Sequence, residues 1–489
     1  MPLEHVDVPY SDAWWVRRLS KKMHTQELRR NGKRMTRTQW LDLLWSYQTG
    51  EPPLPNVAAK HKAATQEFLR MARANFATLA VEALLDRTRL VGVRTTRDPD
   101  ADGDDFAHRM LTANGACVSD AMQFAYALGE GYLIAGKPDG NGVPVMTAED
   151  PRQVVSAHNP ARPDEIRAML KVYRDDDAGE DVAHLYQPAG RDPVTGQEHL
   201  DRIRVAVRKG SAPLGFRFNT TAWGWDEDRS GDLPIQGFGV PGVRLRNPLG
   251  LGEFEKHLDL LNRINNMIAD RLWTSKFQVF RQRALEDNGE GDELTDEAGN
   301  PVSDDELDDL FEADPGAMWR LPPGTKIWES QQTDLTPILT SVRDDIKEFA
   351  AVTRTPLHMF TPDAIAGAAE GATLAREGLL FKAEDRTGRF TSDVLRLFRM
   401  GFAFADKTDL AEGDLDAMWA PAERYSLAQR ADAARAAKDT GVPQQSIYTD
   451  YWQVSPSTAK RYARERSTDL LFQPPGEPAL PAPSLNGRS

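Results

Sequence analysis

The stretch Thr355-Pro-Leu-His-Met-Phe-Thr-Pro-Asp-Ala-Ile-Ala-Gly-Ala-Ala-Glu-Gly371 separates two segments that have the apolar periodicity of helices. In the first segment, apolar residues recur at three- and four-residue steps from Leu335 to Phe349, which is one face of an α-helix. This helix is predicted to end near Arg354, because Pro356 disfavours helical geometry at the residue before it and cannot continue the hydrogen-bond ladder. Residues 361–371 are small and nearly uncharged, which predicts a loop.

A long helical pattern follows this loop, from Ala372 to Phe404. Its basic residues, among them Lys382 and Arg386, are expected on the outside. Gly378 and Gly388 interrupt the pattern, and each costs about 1 kcal/mol relative to Ala in a helix interior, which favours a bend. The expected buried side chains are Leu374, Phe381, Val394, Leu397 and Phe398.

The rest of the chain combines strand and helix patterns, which predicts an α+β fold. From Tyr132 to about Phe218, apolar and polar residues alternate as in half-buried antiparallel strands, and the acidic turn Asp175–Asp181 is expected to join two of them. The segment from Glu253 to Phe280 is amphipathic and predicts another helix. Farther on, Met318 to Leu321 and Lys326 to Trp328 are expected to form a hairpin that turns at Pro322-Pro-Gly324.

The overall charge restricts the kinds of partner that the protein can bind tightly. The 489 residues include 74 Asp and Glu against 60 Lys and Arg, a formal charge of −14. This balance disfavours tight non-specific binding of nucleic acid, although it permits a nucleic acid that passes without sticking. The single cysteine, Cys117, excludes an intrachain disulfide. The first residues lack a secretory pattern and no run of eighteen apolar residues occurs, so we expect a soluble intracellular protein.

Two glycine patterns resemble nucleotide-binding motifs. Gly131-Tyr-Leu-Ile-Ala-Gly136-Lys137 fits the first part of a P-loop, but Pro138 replaces the hydroxyl that binds magnesium, and Tyr132–Ala135 has the pattern of a buried strand. Gly237-Phe-Gly239-Val-Pro-Gly242 fits the dinucleotide pattern, but no helix is predicted to open at Gly242. A strand and a plain loop are therefore the preferred interpretations, and an enzyme that uses the first motif is the alternative.

Nothing in the sequence points to catalysis, a cofactor or a metal. The nine histidines have no paired spacing, and no cysteine cluster exists that could bind zinc. The acidic run from Glu286 to Asp314 lacks the alternating ligands of an EF-hand, so we expect a solvated surface there, with weak cation binding as the alternative. We predict a protein that is not an enzyme.

Residues 433–466 support an alternative function. A helix, a turn at Gly441-Val-Pro443 and a basic second helix follow one another as in a helix-turn-helix. In that hypothesis, the residues that contact DNA phosphates are Lys460, Arg461, Arg464 and Arg466. The competing interpretation is a small helical domain with an ordinary charged surface.

The order of these parts resembles the phage portal proteins of the SPP1 type (Gp6-like), from about Trp40 to Leu471. Two early matches are Tyr47-x-x-Gly50 before Pro53, and a helix that contains Asn75 and leads to Gly92. Later matches are Pro248-Leu-Gly-Leu-Gly-Glu253 opening a long helix with Asn262 and Asn265, then Thr355-Pro356, the Gly/Ala loop and the long helix. Their shared order carries the resemblance.

The resemblance implies a portal-like fold with a helical and β wing, a two-helix stem, a small α/β clip, a long kinked helix after a tunnel loop, and a helical crown. The implied boundaries are a wing at 1–252, stem helices at 253–276 and 334–356, a clip with the acidic stretch at 277–333, the tunnel loop and long helix at 357–404, and a crown at 405–472. Residues 473–489 form a Pro-rich tail that we expect to be disordered.

The resemblance also implies a ring of about twelve subunits at one capsid vertex, through which double-stranded DNA is packaged and ejected. Its implied partners are the terminase large subunit, the head-tail adaptor, and the major capsid and scaffolding proteins, with no membrane. The implied location is the virion, and the host cytoplasm during assembly.

Particular residues receive roles by the same resemblance. The tunnel loop that surrounds DNA consists of Thr361, Pro362, Asp363, Ala364, Ile365, Ala366, Gly367, Ala368, Ala369, Glu370 and Gly371. Arg376 and Lys382 are candidates to contact DNA phosphates, or alternatively to pair with Glu377 or Glu384. The residues expected to pack the stem are Leu258, Leu261, Ile264, Ile268, Leu339, Val342, Ile346 and Phe349.

Overall fold

The computed structural model describes residues 3–24, 27–30, 33–55, 66, 69–95, 103–209, 222–279, 283–286, 326–329, 334–361, 369–423 and 425–472. Helices and strands both contribute, so the α+β prediction is confirmed. The chain divides into two compact units. Unit 1 comprises Met1–Trp45, Thr78–Lys256 and Ile365–Ser489, and unit 2 comprises Ser46–Ala77 and His257–Ala364.

Most helices of the described chain come before or after its strand-rich part. Those before it include α1 (Asp12–His24), α2 (Arg37–Gln48), α3 (Phe76–Leu85), α4 (Gly103–Ala113) and α5 (Cys117–Leu128). The later ones are α6 (Leu258–Val279), α7 (Thr336–Thr353), α8 (Ala369–Phe404), α9 (Thr408–Ala411), α10 (Leu427–Asp439), α11 (Gln444–Ser446) and α12 (Pro456–Phe472). Single tight turns add 3-10 helices at Pro248–Gly250, Glu255–His257 and Leu357–Met359, and a π-helix at Ile447–Tyr451.

The strands of unit 1 form antiparallel sheets. A five-stranded sheet has the order β12 (Gly224–Asp232), β11 (Arg202–Lys209), β8 (Glu180–Gln187), β7 (Arg162–Asp175) and β6 (Val154–Asn159). A three-stranded sheet has the order β13 (Gly242–Arg246), β4 (Glu130–Pro138) and β5 (Pro144–Glu149). Smaller pairs join β1 (Glu27–Arg30) to β2 (Lys33–Thr36), β9 (Gly190–Arg191) to β10 (Glu198–His199), and β3 (Leu90–Thr95) to β16 (Leu415–Trp419).

The predicted strand alternation is largely confirmed in the five-stranded sheet. The acidic turn joins β7 to β8, with Asp175 opposite Glu180. Leu170 and its neighbours on one face pack with α1 in a buried cluster that includes Trp15, Leu19 and Trp223. Met169 points the other way and is also fully buried, because Tyr132 and Ile134 of β4 cover that face. Strand β7 is therefore covered on both faces rather than half-buried.

The pairing of β16 with β3 connects sequence positions more than 300 residues apart. Asp416 lies opposite Arg94, and Leu415 opposite Thr95. The Arg94 guanidinium also donates to Thr449 Oγ1 at 3.1 Å and to Asp450 Oδ1 at 3.3 Å. The C-terminal helices thus belong to the same unit as the strands that precede them.

Unit 2 contains α6, α7 and a short two-stranded pair. The guanidinium of Arg263 on α6 lies 2.9 Å from Asp345 Oδ1 and 2.6 Å from Glu348 Oε2 on α7. Strand β14 (Arg283–Glu286) pairs antiparallel with β15 (Lys326–Glu329). Strand β15 contains the second strand of the hairpin predicted for this region; its first strand, residues 318–321, and the turn lie outside the described residues, so the hairpin stays a prediction.

Candidate functional site

The site begins where α7 ends. Arg354 has φ 54°, a left-handed conformation that terminates the helix, and Thr355 N donates to Ala350 O at 2.9 Å. Pro356 then adopts φ −57° and ψ 132°, which is extended. The predicted end of the helix near Arg354 is confirmed, for the expected reason that the chain before proline leaves α geometry.

An aromatic anchor fixes the residues just after this helix end. Phe360 is 9% exposed and its ring centroid lies 5.7 Å from that of Phe349 and 5.7 Å from that of Phe76. Aromatic pairs at such distances contribute about 0.5–1.5 kcal/mol beyond the burial of their surface. Thr361 N donates to Leu357 O at 3.0 Å and closes the turn. The N-terminal side of the predicted loop is therefore held in place within unit 2.

The loop itself is shorter than the sequence predicted. Residues 362–368 lie outside the described residues, so the expected DNA-contacting role of that part stays a prediction. Helix α8 begins at Ala369, three residues before the expected start at Ala372. Ala369, Glu370 and Gly371 therefore belong to the first turn of α8 rather than to the loop. Sequence pattern places helix ends poorly where small residues flank them, because they provide no periodic apolar signal.

The buried face of α8 differs from the predicted one. Val394, Leu397 and Phe398 are fully buried, as expected, whereas Phe381 is 65% exposed. Leu379 and Ala383 are buried instead, so the packed face of α8 does not include Phe381. The side chain of Leu374 lies outside the described residues.

Lys382 does not face solvent, so its expected contact with DNA phosphates is wrong. Its Nζ lies 2.7 Å from Glu253 Oε2, and the two side chains are 6% and 5% exposed. Arg386, one helical turn later, donates from Nε to Glu253 Oε1 at 2.9 Å. Two cations thus share one buried carboxylate in unit 1. A periodicity argument assigns Lys and Arg to the outside, because it cannot register a buried partner more than 100 residues away.

The charge on Glu253 is stabilised by these two neighbours. Burial alone would raise the pKa of its carboxyl, but the Lys382 ammonium and the Arg386 guanidinium outweigh burial and hold the pKa below its ordinary value. Asn247 Nδ2 donates a further hydrogen bond to Glu253 Oε1 at 3.0 Å. The other basic candidate, Arg376, is exposed on α8.

The residues expected to pack α6 against α7 are mostly buried. Leu258, Leu261, Ile264, Val342, Ile346 and Phe349 are each less than 8% exposed. Ile268 and Leu339 are half-buried. Their apolar faces therefore contribute to the interior of the chain, although this burial does not test their role in an oligomer.

A polar cluster in unit 2 explains several residues that carried the family resemblance. Tyr47 Oη donates to Asn262 Oδ1 at 2.5 Å, and Ala74 N donates to Asn265 Oδ1 at 3.0 Å. Gly50 has φ +79°, and a Cβ there would lie 3.1 Å from the Asn75 amide. These residues are distant in sequence but meet around α6. Asn262 and Asn265 therefore orient neighbouring segments, a role that sequence spacing did not reveal.

One of the four residues expected to contact phosphates in the helix-turn-helix hypothesis is paired with a carboxylate instead. Lys460 on α12 lies 2.9 Å from Asp104 Oδ2, and these side chains are only 14% and 3% exposed. Arg461, Arg464 and Arg466 remain exposed. Between α10 and α12 the chain forms α11 and a π-helical turn at Ile447–Tyr451.

Both glycine motifs have structural explanations. The first lies in strand β4, where a Cβ at Gly131 would lie 2.0 Å from Ala121 O, so glycine permits the strand to contact α5. In the second, Gly242 begins strand β13 rather than a helix. The strand predicted for the first motif and the loop predicted for the second are confirmed.

Within the described part of the chain, no group of three or more His, Cys, Asp or Glu residues could hold a metal ion. Nor does that part contain a helix long and apolar enough to cross a membrane.

These features define an α+β protein in which an anchored turn, a loop and a long helix follow an amphipathic helix. The sequence of residues 119–469 matches the family described as phage portal protein, SPP1 Gp6-like. The chain belongs to this family, and the resemblance noted in its sequence is confirmed.

The solved structures to which this chain aligns include proteins of gene transfer agent particles. The neck of an empty particle computed with C6 symmetry aligns at 12% identity and a TM-score of 0.43, covering 88% of this chain and 96% of the other. The virion of a native particle gives 14% identity, a TM-score of 0.43 and the same coverage. The neck of a native particle computed with C12 symmetry gives 12% identity and a TM-score of 0.40, covering 84% and 98%. No curated protein sequence matches this chain.

Proposed function

We propose that this protein forms a ring of about twelve subunits at one vertex of a phage capsid, and that double-stranded DNA passes through the ring during packaging and ejection. The proposal includes docking of the terminase large subunit during packaging and of a head-tail adaptor afterwards, with contacts to the major capsid and scaffolding proteins. The protein is located in the virion, and in the host cytoplasm during assembly.

The family match carries this proposal. It spans residues 119–469, from the first turn of α5 into α12, and therefore includes α6, α7, the loop after Thr361 and α8 in one alignment. A match to one short motif would be compatible with many folds, whereas this one covers most of the chain in order.

The proposal also divides the chain among the parts of the ring. We assign residues 1–252 to the wing, 253–276 and 334–356 to the stem, 277–333 to the clip, 357–404 to the tunnel loop and long helix, and 405–472 to the crown. In this assignment the loop within residues 361–371 surrounds the DNA. The anchored turn at Phe360 and the start of α8 at Ala369 then determine where its two ends are fixed.

The net charge of the chain supports the proposed channel for DNA. With a formal charge of −14, an acidic channel repels phosphates and avoids a tight grip on the moving duplex. A loop composed mainly of Gly and Ala can contact DNA without forming ion pairs. We propose that the chain is not an enzyme and that ATP hydrolysis belongs to the terminase.

The mass and shape of the purified protein test the proposal. Light scattering on a sizing column followed by negative-stain microscopy should show rings with a central hole and about twelve chains. A compact dimer that protects a defined duplex sequence would instead favour the helix-turn-helix function of residues 433–466. Loss of that protection in Arg461→Ala and Arg464→Ala variants would establish it.

A further inference from the structure

A cleft of about 410 Å³ lies between α4 and α12, within unit 1. We call it the α4/α12 cleft. Its lining residues are Asp105, His108, Ser457, Thr458, Lys460, Arg461 and Arg464. Neither the glycine motifs nor the proposed DNA loop involves these residues.

The floor of the cleft is fixed by a buried ion pair. Lys460 Nζ lies 2.9 Å from Asp104 Oδ2. Asp104 Oδ1 in turn accepts hydrogen bonds from Thr95 N at 2.7 Å and from Thr95 Oγ1 at 2.9 Å. Because Asp104 is almost fully buried and its oxygens are all engaged, α12 has a defined position against α4.

Cationic and hydroxyl groups project from one face of α12 into this cleft. Ser457, Arg461 and Arg464 follow one another at steps of four and three residues, which places them on the same side of a helix. Guanidinium groups bind phosphate oxygens in bidentate geometry, and hydroxyls donate to the remaining oxygens. The first turn of α12 adds the positive end of the helix dipole.

Some of the polar side chains that line the cleft have weak partners or none among the described residues. Arg464 forms no ion pair with any described residue. Arg461 pairs with Glu465 at 3.6 Å, but both side chains are more than 60% exposed, and such surface pairs are weak. His108 Nδ1 is buried and has no hydrogen-bond partner among the described residues. Asp105 is the one carboxylate on the lining and is exposed at its edge.

We propose that the α4/α12 cleft is a binding site for a phosphate group. The guanidinium groups of Arg461 and Arg464 and the hydroxyls of Ser457 and Thr458 line a space that accommodates a phosphate and its ester substituents. The phosphate comes either from the backbone of duplex DNA or from free inorganic phosphate. Only the first source rests on the proposed function, since a protein that conducts DNA meets its backbone phosphates.

Two variants with equal charge change test the DNA source. Arg464→Gln removes a cation from the cleft, and Arg466→Gln removes one from the same helix outside it. The probe is a fluorescein-labelled duplex of about 30 base pairs, and fluorescence anisotropy is measured over a range of salt concentrations. Arg464→Gln should weaken binding by about threefold or more relative to Arg466→Gln, and should lower the salt slope by about one.

Inorganic phosphate tests the other source. The melting temperature of each full-length variant is measured in sodium phosphate and in sodium chloride at equal ionic strength. If phosphate binds in the cleft, it stabilises the native protein and Arg466→Gln, and this stabilisation is lost in Arg464→Gln. Phosphate-specific stabilisation with equal DNA affinities of the two variants assigns the site to free phosphate.

A variant that binds the duplex or phosphate more tightly than the native protein tests the site in a way that misfolding cannot imitate. Asp105→Asn removes the carboxylate from the cleft and should tighten binding of the duplex or of phosphate by about threefold. Asp120→Asn, in the first turn of α5 and outside the cleft, is its matched control. If Arg464→Gln and Arg466→Gln have equal affinities for the duplex and are stabilised equally by phosphate, the cleft is not a phosphate-binding site. Absence of rings would count against the proposed function while leaving these binding results intact.

Discussion

The ammonium of Lys382 lies 2.7 Å from a carboxylate oxygen of Glu253, with both side chains almost completely buried. Arg386 binds the other oxygen of the same carboxylate at 2.9 Å. One acidic residue ahead of the 3-10 turn at Glu255–His257 therefore compensates two basic residues of α8. The free energy of this arrangement depends on all three charges, because a buried ion without a partner is costly.

Glu253→Gln should destabilise the protein strongly. The substitution leaves two buried cations against a neutral amide, and breaking a buried pair in this way costs about 3–5 kcal/mol. Lys382→Met should cost less, since Arg386 still binds Glu253. Urea denaturation measures both, with the exposed Glu384→Gln on the same helix as control. Equal stabilities of Glu253→Gln and Glu384→Gln would contradict the role of the buried pair.

Gly131→Ala should destabilise the protein although Lys137→Ala does not. A methyl group at Gly131 would meet the backbone oxygen of Ala121 at 2.0 Å, and overpacking of this kind costs about 1–3 kcal/mol. Lys137 is exposed, so its truncation should leave the melting temperature nearly unchanged. Nucleotide binding that disappears with Lys137→Ala would instead restore the P-loop interpretation.

Sequence periodicity predicted those elements whose signal is local. The end of α7 followed from Pro356, the turn at Asp175 from its acidic residues, and strand β4 from its apolar run. The burial of Lys382 could not be predicted in this way, because its partner Glu253 is distant in sequence. The exposure of Phe381 was missed together with it, since Phe381 was placed on the buried face whereas the neighbouring Lys382 and Ala383 are the buried residues.

Two contacts join segments that are distant in sequence. Asn265 is buried, and its side chain accepts a hydrogen bond from the backbone amide of Ala74. Strand β15 pairs with β14, which lies some forty positions earlier in the sequence. Sequence pattern records the preference of a segment but not the identity of its partner.

Asp393 should make stability depend on pH. Burial raises the pKa of its carboxyl to about 6, more than Arg396 and Arg244 lower it. The native state thus keeps a proton that the unfolded chain has already lost, so the free energy of unfolding decreases as pH rises through about 6. Asp393→Asn should remove this penalty and stabilise the protein by about 3 kcal/mol near pH 8, with little gain near pH 4.

Denaturation of the Asp393→Asn variant across this pH range provides the measurement. Glu384→Gln on the same helix is exposed and serves as the control for loss of a charge. A gain for Asp393→Asn that is constant with pH would show that the carboxyl does not titrate as inferred.

Substitutions at two residues of α7 distinguish an effect on folding from an effect on ring assembly. Ile346 is 7% exposed, so Ile346→Asp buries a charge in unit 2 and should lower the free energy of unfolding by about 3 kcal/mol or more. Val352 is 44% exposed, and Val352→Asp should leave that free energy nearly unchanged. If α7 contributes to a ring interface, Val352→Asp prevents rings in negative-stain images while Val352→Ala retains them. Normal rings from Val352→Asp would place the interface elsewhere.

Deletion of Ala364 to Ala368 should impair DNA packaging while sparing ring assembly. The deletion leaves Phe360 packed on Phe349 and leaves α8 intact from Ala369, so neither anchor of the loop is removed. Replacing the same five residues with Gly and Ser keeps the length of the chain and is the matched control. We expect the control to package DNA, because a small uncharged loop still spans the same gap.

DNase-protected DNA per particle measures packaging, and negative-stain microscopy measures assembly. A deletion variant that forms rings but protects much less DNA than the control assigns the defect to the length of the loop rather than to its sequence. Full packaging by the deletion variant would show that the loop does not contact the duplex. A loss of rings would show that residues 364–368 stabilise the subunit contacts, because both anchors remain intact in the single chain.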